Sequence, residues 1–178
     1  MDIKNNKLKT LTHWLCDAAP YSKRLDRASL GKMLWYADVM AYAWLGHSIT
    51  GASYKRQTNG PEPSGLQGVL NALVCEGRIV IDTSAQSKRD HEEIVARRPA
   101  NGSEILDRTE MAIVGEVTKT MDNDRLPFVM QALPHDTAWR LASIGEPIPY
   151  EAVWASQLGA LDGNDIAWCE SQLERMAL

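Results

Sequence analysis

Asp26-Arg27-Ala28-Ser29-Leu30-Gly31-Lys32-Met33-Leu34-Trp35-Tyr36-Ala37-Asp38-Val39-Met40-Ala41-Tyr42-Ala43-Trp44-Leu45-Gly46 is the stretch on which the fold turns. Leu30, Met33, Leu34, Ala37, Ala41, Trp44 and Leu45 recur at i, i+3, i+4 spacing, the period of a helix with one apolar face. Asp26 offers an acceptor to the orphan amides of a first turn. Gly46 tolerates positive φ and supplies the stop. The spacing predicts a helix over 27–45. Lys32, Tyr36 and Asp38 lie off its stripe. Asp38 interrupts an otherwise apolar run, and a carboxylate there must be paired to be tolerated. Its expected partner is a hydroxyl, an amide or Lys32.

Before this stretch, Leu8, Leu11, Leu15 and Ala18 form a second helical stripe over 5–19, ending ahead of Pro20. Beyond it, residues 48–58 mix β-branched and aromatic types and predict a short strand. Asn59-Gly60-Pro61-Glu62-Pro63 reads as a turn, because Gly adds angular freedom and Pro fixes φ. Ser64 and Gln67 show capping-box spacing before a helix burying Leu66, Val69, Leu70, Leu73 and Val74, closed by Gly77. Strands follow at 78–82 and 93–97 around a polar loop, 84–91. Helix, glycine, strand, loop and strand is the local pattern of a winged helix. Asp107 and Glu110 repeat the capping box ahead of Ile113, Val114, Val117 and Met121. A short helix over 125–133 and a last one over 164–177, with Ile166, Cys169, Leu173 and Met176 on one face, complete the reading.

No internal repeat, low-complexity tract or long linker divides the 178 residues, so one domain over 1–178 is expected. The fold class expected is mainly α, in detail α+β with a small antiparallel sheet and a winged-helix-like hairpin. A net charge of −4 argues against bulk attraction to a phosphate backbone. Cys16, Cys75 and Cys169 are odd in number, form no C-x-x-C pair and fall in apolar helical contexts, which suggests a reducing compartment. The polar first residues lack a signal-peptide core. No apolar run reaches the roughly 20 residues that span a bilayer. A soluble, cytoplasmic chain is expected.

Catalytic and metal-binding patterns are sparse. His13, His47, His91 and His135 are the only histidines, and none pairs with Cys or His at a metal-ligand spacing. No nucleophile elbow, P-loop or dinucleotide fingerprint occurs. Neither an enzyme nor a cofactor is expected. Lys88, Arg89, Arg97 and Arg98 could place cations on a wing. The helix before that wing offers only Ser64, Gln67, Asn71 and Glu76, which makes it a poor reader of base edges.

The segment from Leu30 to Asp38 resembles the NK-L-L-Y-x-A-D helix of the Panacea, or SocA-like, antitoxin domain. Ile49-Thr50-Gly51-Ala52-Ser53-Tyr54 is similar to that family's I-T-G-A-x-Y segment, and Gly60-Pro61-Glu62-Pro63 to its G-P-V-P turn. Later, His135-Asp136-Thr137-Ala138-Trp139 resembles its S-H-x-x-x-W element, and the stretch from Gly145 to Tyr150 its G-x-x-I-P-Y. The order and spacing of these fragments cover residues 8–155. Gly31, Glu62 and Pro134 depart from the usual Asn, Val and Ser.

The resemblance implies an antitoxin that binds and silences a protein toxin encoded by an adjacent gene, and in one branch of the family delivers it to a cellular protease. It singles out Lys32, Tyr36, Asp38, Thr50, Gly51, Tyr54, Gly60, Pro61, Pro63, His135 and Trp139, as scaffold or as partner contacts. Two rival expectations stand beside it. One is a winged-helix DNA-binding regulator or operon autorepressor. The other is an enzyme in which Asp38, His135 and Lys32 converge on a pocket.

Overall fold

The computed structural model describes residues 3–18, 25–83, 93–101, 105–122 and 142–151. In chain order these form α1 (Ile3–Ala18), α2 (Arg27–Leu45), β1 (Tyr54–Gln57), β2 (Gly60–Pro63), α3 (Leu66–Cys75), β3 (Ile79–Asp82), β4 (Glu93–Ala96), α4 (Arg108–Asp122) and β5 (Pro147–Ile148). The architecture is α+β, mainly helical with small antiparallel sheets. The helices expected over 125–133 and 164–177 lie outside the described residues.

α2 begins and ends where its sequence dictates. The Asp26 carboxylate accepts from the Ser29 amide at 2.7 Å, and Gly46, at φ 77°, turns its N–H onto the Tyr42 carbonyl. Its surroundings were not legible from periodicity. α1, α4 and β2 all pack against α2, so the run from Leu30 to Val39 is buried at every position but Lys32. Tyr36 and Asp38, placed off the apolar stripe, are therefore core residues. Conversely Trp44, on the stripe, is 64% exposed, as is Val74 on α3 at 41%. Ala18 also faces solvent. Each of the three falls within the last turn or two of its helix, the end of the element farthest along the chain.

The expected turn at 59–63 is shorter than read. Thr58 and Asn59 make the turn, while Gly60 to Pro63 run back along β1 in the register Gln57↔Gly60, Lys55↔Glu62. β5 pairs with the other side of β1, giving the order β2-β1-β5. The Ser64 amide donates to the Ser53 carbonyl and the Arg56 amide to the Glu146 carbonyl. In an antiparallel ladder bonded and non-bonded pairs alternate. Pro61 and Pro63 therefore turn their nitrogens away from β1, as do Pro147 on the opposite edge and Pro149 beyond it. A proline within a sheet is tolerated on such an edge.

The capping box expected at Ser64 does not form. Its backbone belongs to the sheet, and Gly65, in the left-handed region at φ 89°, occupies the cap position with no side-chain acceptor. The second capping box does form. Asp107 accepts from the Thr109 and Glu110 amides, and Glu110 accepts from the Asp107 amide. β3 and β4 pair as expected, Ile79↔Ala96 to Asp82↔Glu93, and Ile79 and Ile94 enter the core.

Two predictions follow from local surroundings. A Cβ added to Gly68, on the exposed side of α3, meets no atom within 4 Å. Gly68→Ala is expected to stabilise the fold by about 0.5–1 kcal/mol through lower unfolded-state entropy and better helix propensity, read as a higher urea midpoint. The thiols differ sharply. Burial pushes Cys16 up to about 12, whereas Cys75 is exposed. Brief alkylation of the folded chain is expected to modify Cys75 and spare Cys16 in peptide mapping. Equal labelling of the two would contradict this packing.

Candidate functional site

Asp38, on the fourth turn of α2, is the centre of a buried polar knot. Its helical position directs the carboxylate at the segment between α2 and β1, where Thr50 and Tyr54 meet it. The Thr50 amide donates to Oδ1 at 2.8 Å, and the Thr50 hydroxyl donates to Oδ2. The Tyr54 hydroxyl donates to Oδ2 at 2.7 Å. The Ala52 amide in turn donates to Thr50 Oγ1 at 3.1 Å, which fixes the hydroxyl proton toward the carboxylate.

Tyr150, just past β5, closes the knot. Its hydroxyl lies 2.6 Å from the Ala52 carbonyl and 3.4 Å from Asp38 Oδ2. One hydroxyl carries one proton. The shorter contact takes it, so Tyr150 locks the loop to the strand and only grazes the carboxylate.

Aromatic rings wall this knot. Trp35 meets Tyr54 edge-on at 4.9 Å between centroids and stacks on Tyr150 at 5.6 Å. Tyr42 stacks on the Tyr150 ring at 5.5 Å. Such offset and edge contacts add specificity beyond apolar burial. Removal from water pushes the Asp38 carboxyl above the ordinary carboxylate range, against the opposing pull of the Thr50 and Tyr54 donors. Burial, and then the Asp38 charge, hold Tyr54 well above a normal phenol. Tyr150 moves up for the same two reasons.

This arrangement suits holding and not reacting. A general base must reach its substrate's proton, and Asp38 has no exposed surface. Its oxygens already accept from an amide and two hydroxyls. The lysine considered as its partner is elsewhere. Lys32 lays its stem across Gly60, where a Cβ would fall 2.7 Å from Lys32 Cε. Gly60 itself is at φ 142°.

Gly31 faces the same strand, and a Cβ there would fall 2.6 Å from the Pro61 carbonyl oxygen. Pro61 and Pro63 are buried in β2, opposite Arg56 and Tyr54. Gly51, at φ 64°, makes the exposed bend between Thr50 and Ala52. Tyr36 is buried in α2. His135 and Trp139 lie outside the described residues.

The structure thus gathers Asp38, Thr50 and Tyr54 into one cluster and Lys32, Gly60 and Pro61 into another along β2. Besides Tyr150, Trp35 and Arg27 escaped sequence reasoning. Trp35 is fully enclosed and gives the wall on which both tyrosines lie, although its place off the stripe offered no hint. Arg27 forks onto Glu62, with Nε–Oε2 at 2.9 Å and Nη2–Oε1 at 3.0 Å, and also donates to Gln67. That contact ties the start of α2 to β2 and α3. An exposed-looking Arg, Glu and Gln in three segments carried no signal of it.

Among the described residues no group of three or more His, Cys, Asp or Glu could hold a metal ion. No described helix is long and apolar enough to cross a membrane. Residues 30–140, more than half of the chain, match the family model described as "Antitoxin SocA-like, Panacea domain". No curated protein and no solved structure matches.

Proposed function

The chain belongs to the SocA-like Panacea domain family, and from that membership we propose that it is an antitoxin acting by direct contact with a cognate protein toxin. The neutralising agent is its surface, with no bond-making side chain and no cofactor. It acts in the cytoplasm, on the product of the adjoining gene. The observation that carries this reading is the occupation of Asp38. The one acidic group in the motif helix is enclosed by Thr50, Tyr54 and Tyr150, so the motif builds a scaffold and leaves recognition to the outside of the molecule.

The test is expression of the adjoining open reading frame under an inducible promoter, with and without this chain. Growth arrest relieved by co-expression, together with a complex that survives gel filtration, is the expected result. A harmless neighbour, or one that stays lethal beside this chain, sinks the reading. A DNA-binding role draws on one observation, the β3–β4 hairpin that follows α3. Salt-sensitive binding to the chain's own promoter separates it from the first reading.

A further inference from the structure

The chain is acidic overall, at −4, yet one corner of it is cationic. Arg78 precedes β3, Arg97 and Arg98 follow β4, and all three are exposed. The amides of Arg97 and Arg98 both donate to the Arg78 carbonyl, at 2.7 and 3.3 Å. Three guanidinium-bearing residues therefore meet just past the Ile79↔Ala96 end of a two-stranded ladder, whose strands lie about 4.8 Å apart. The backbone is pinned from behind by His13, whose Nε2 lies 3.0 Å from the Arg98 carbonyl. Glu76 pairs with Arg78 at 3.0 Å and also with Lys9. Among the described residues neither Arg97 nor Arg98 has an acidic partner.

We propose that Arg78, Arg97 and Arg98 form a docking corner for an acidic, extended segment of the protein that this chain neutralises; the proposal rests on the antitoxin reading. Planar guanidinium forks match carboxylates two bonds at a time. Glu76 already balances Arg78, which leaves the Arg97 and Arg98 charges for incoming carboxylates, and complementary charge speeds encounter and fixes register. The same corner fits a nucleic-acid duplex poorly. A duplex needs a row of cations tracking successive phosphates. Here α3 alongside exposes Gln67 and Asn71, with Glu76 at its C-cap, but no Lys or Arg, and Asp17 stands nearby, accepting from the Ala100 amide.

The experiment pairs the full chain with the product of the adjoining gene, and separately with a fluorescent DNA duplex of its own promoter. The triple variant Arg78→Glu, Arg97→Glu, Arg98→Glu leaves the ladder intact, since backbone groups make its bonds, and its melting curve checks this. It is expected to bind the gene product about 100-fold more weakly and to lose rescue. The matching triple lysine variant is expected to keep most of both. Should the glutamate variant melt early, Arg97→Gln with Arg98→Gln gives the decision in its place. Undiminished binding by a folded glutamate variant overturns the corner and leaves the antitoxin reading standing. Duplex binding lost in that variant, with the gene product unaffected, overturns it in favour of nucleic acid. Failure of the wild-type chain to bind or rescue removes the antitoxin reading, and the corner with it.

Discussion

Asp38→Ala is expected to destabilise the fold by about 3–5 kcal/mol. The substitution strands the Thr50 amide, the Thr50 hydroxyl and the Tyr54 hydroxyl in a site without water. Each buried donor left unpaired costs roughly 1–3 kcal/mol, and breaking a buried charged network from one side costs about the sum given above. A domain's whole stability is roughly 5–15 kcal/mol, so the variant is expected to lose a large share of its margin and to melt well below the parent chain. Urea unfolding followed by tryptophan fluorescence measures it. A loss under about 1 kcal/mol would show that the knot holds nothing together.

The same group gives a pH signature. Burial raises the Asp38 carboxyl above its unfolded value. The folded chain therefore holds this proton to higher pH than the unfolded chain does. The contribution of the group to stability is greatest below the ordinary carboxylate value and declines as pH rises through the raised one. Asp38→Asn keeps the shape and one acceptor while removing the ionisation. It is expected to be less damaging than alanine and to flatten that decline above the ordinary carboxylate value. A slope unchanged in the asparagine variant would assign the decline to another group.

Gly31→Ala is expected to cost about 3 kcal/mol, against the usual direction for a glycine inside a helix. Helix propensity alone favours alanine by roughly 1 kcal/mol. Here the added carbon would lie 2.6 Å from the Pro61 carbonyl oxygen, which is backbone and cannot rotate aside. β2 must lift from α2, and overpacking of this kind costs about 1–3 kcal/mol or more. The shift would also pull Glu62 from Arg27. The clash outweighs the propensity. Thermal melts of Gly31→Ala beside Gly68→Ala make the comparison within one chain, with opposite signs expected for the two. A stable Gly31→Ala would mean that β2 is not seated on α2.

What the sequence made legible was local. The Asp26 cap, the Gly46 stop and the Asp107–Glu110 box each involve residues within a turn or two, and each forms. The β3–β4 pairing also follows from two short apolar runs around a polar loop. The errors came from distance along the chain. Ser64 looked like a cap, but its amide is engaged by Ser53, so Gly65 takes the turn into α3. Gly60 to Pro63 looked like a turn because prolines usually disfavour strands, and only the edge position makes them acceptable.

Asp38 was flagged as needing a partner, and hydroxyls and an amide are what it has. The candidates included Lys32, which instead lies along Gly60. Tyr150 could not have been assigned to this cluster from spacing, since β5 joins β1 across most of the chain.

The proline pattern of the three-stranded sheet bears on how two copies of the chain meet. Pro61 and Pro63 on one margin, and Pro147 and Pro149 on the other, stand where an incoming strand would look for N–H groups. Neither margin offers a donor there. This sheet gives a second copy no bare margin on which to template a fibrous stack. Strand addition is thus opposed along both margins of this three-stranded sheet.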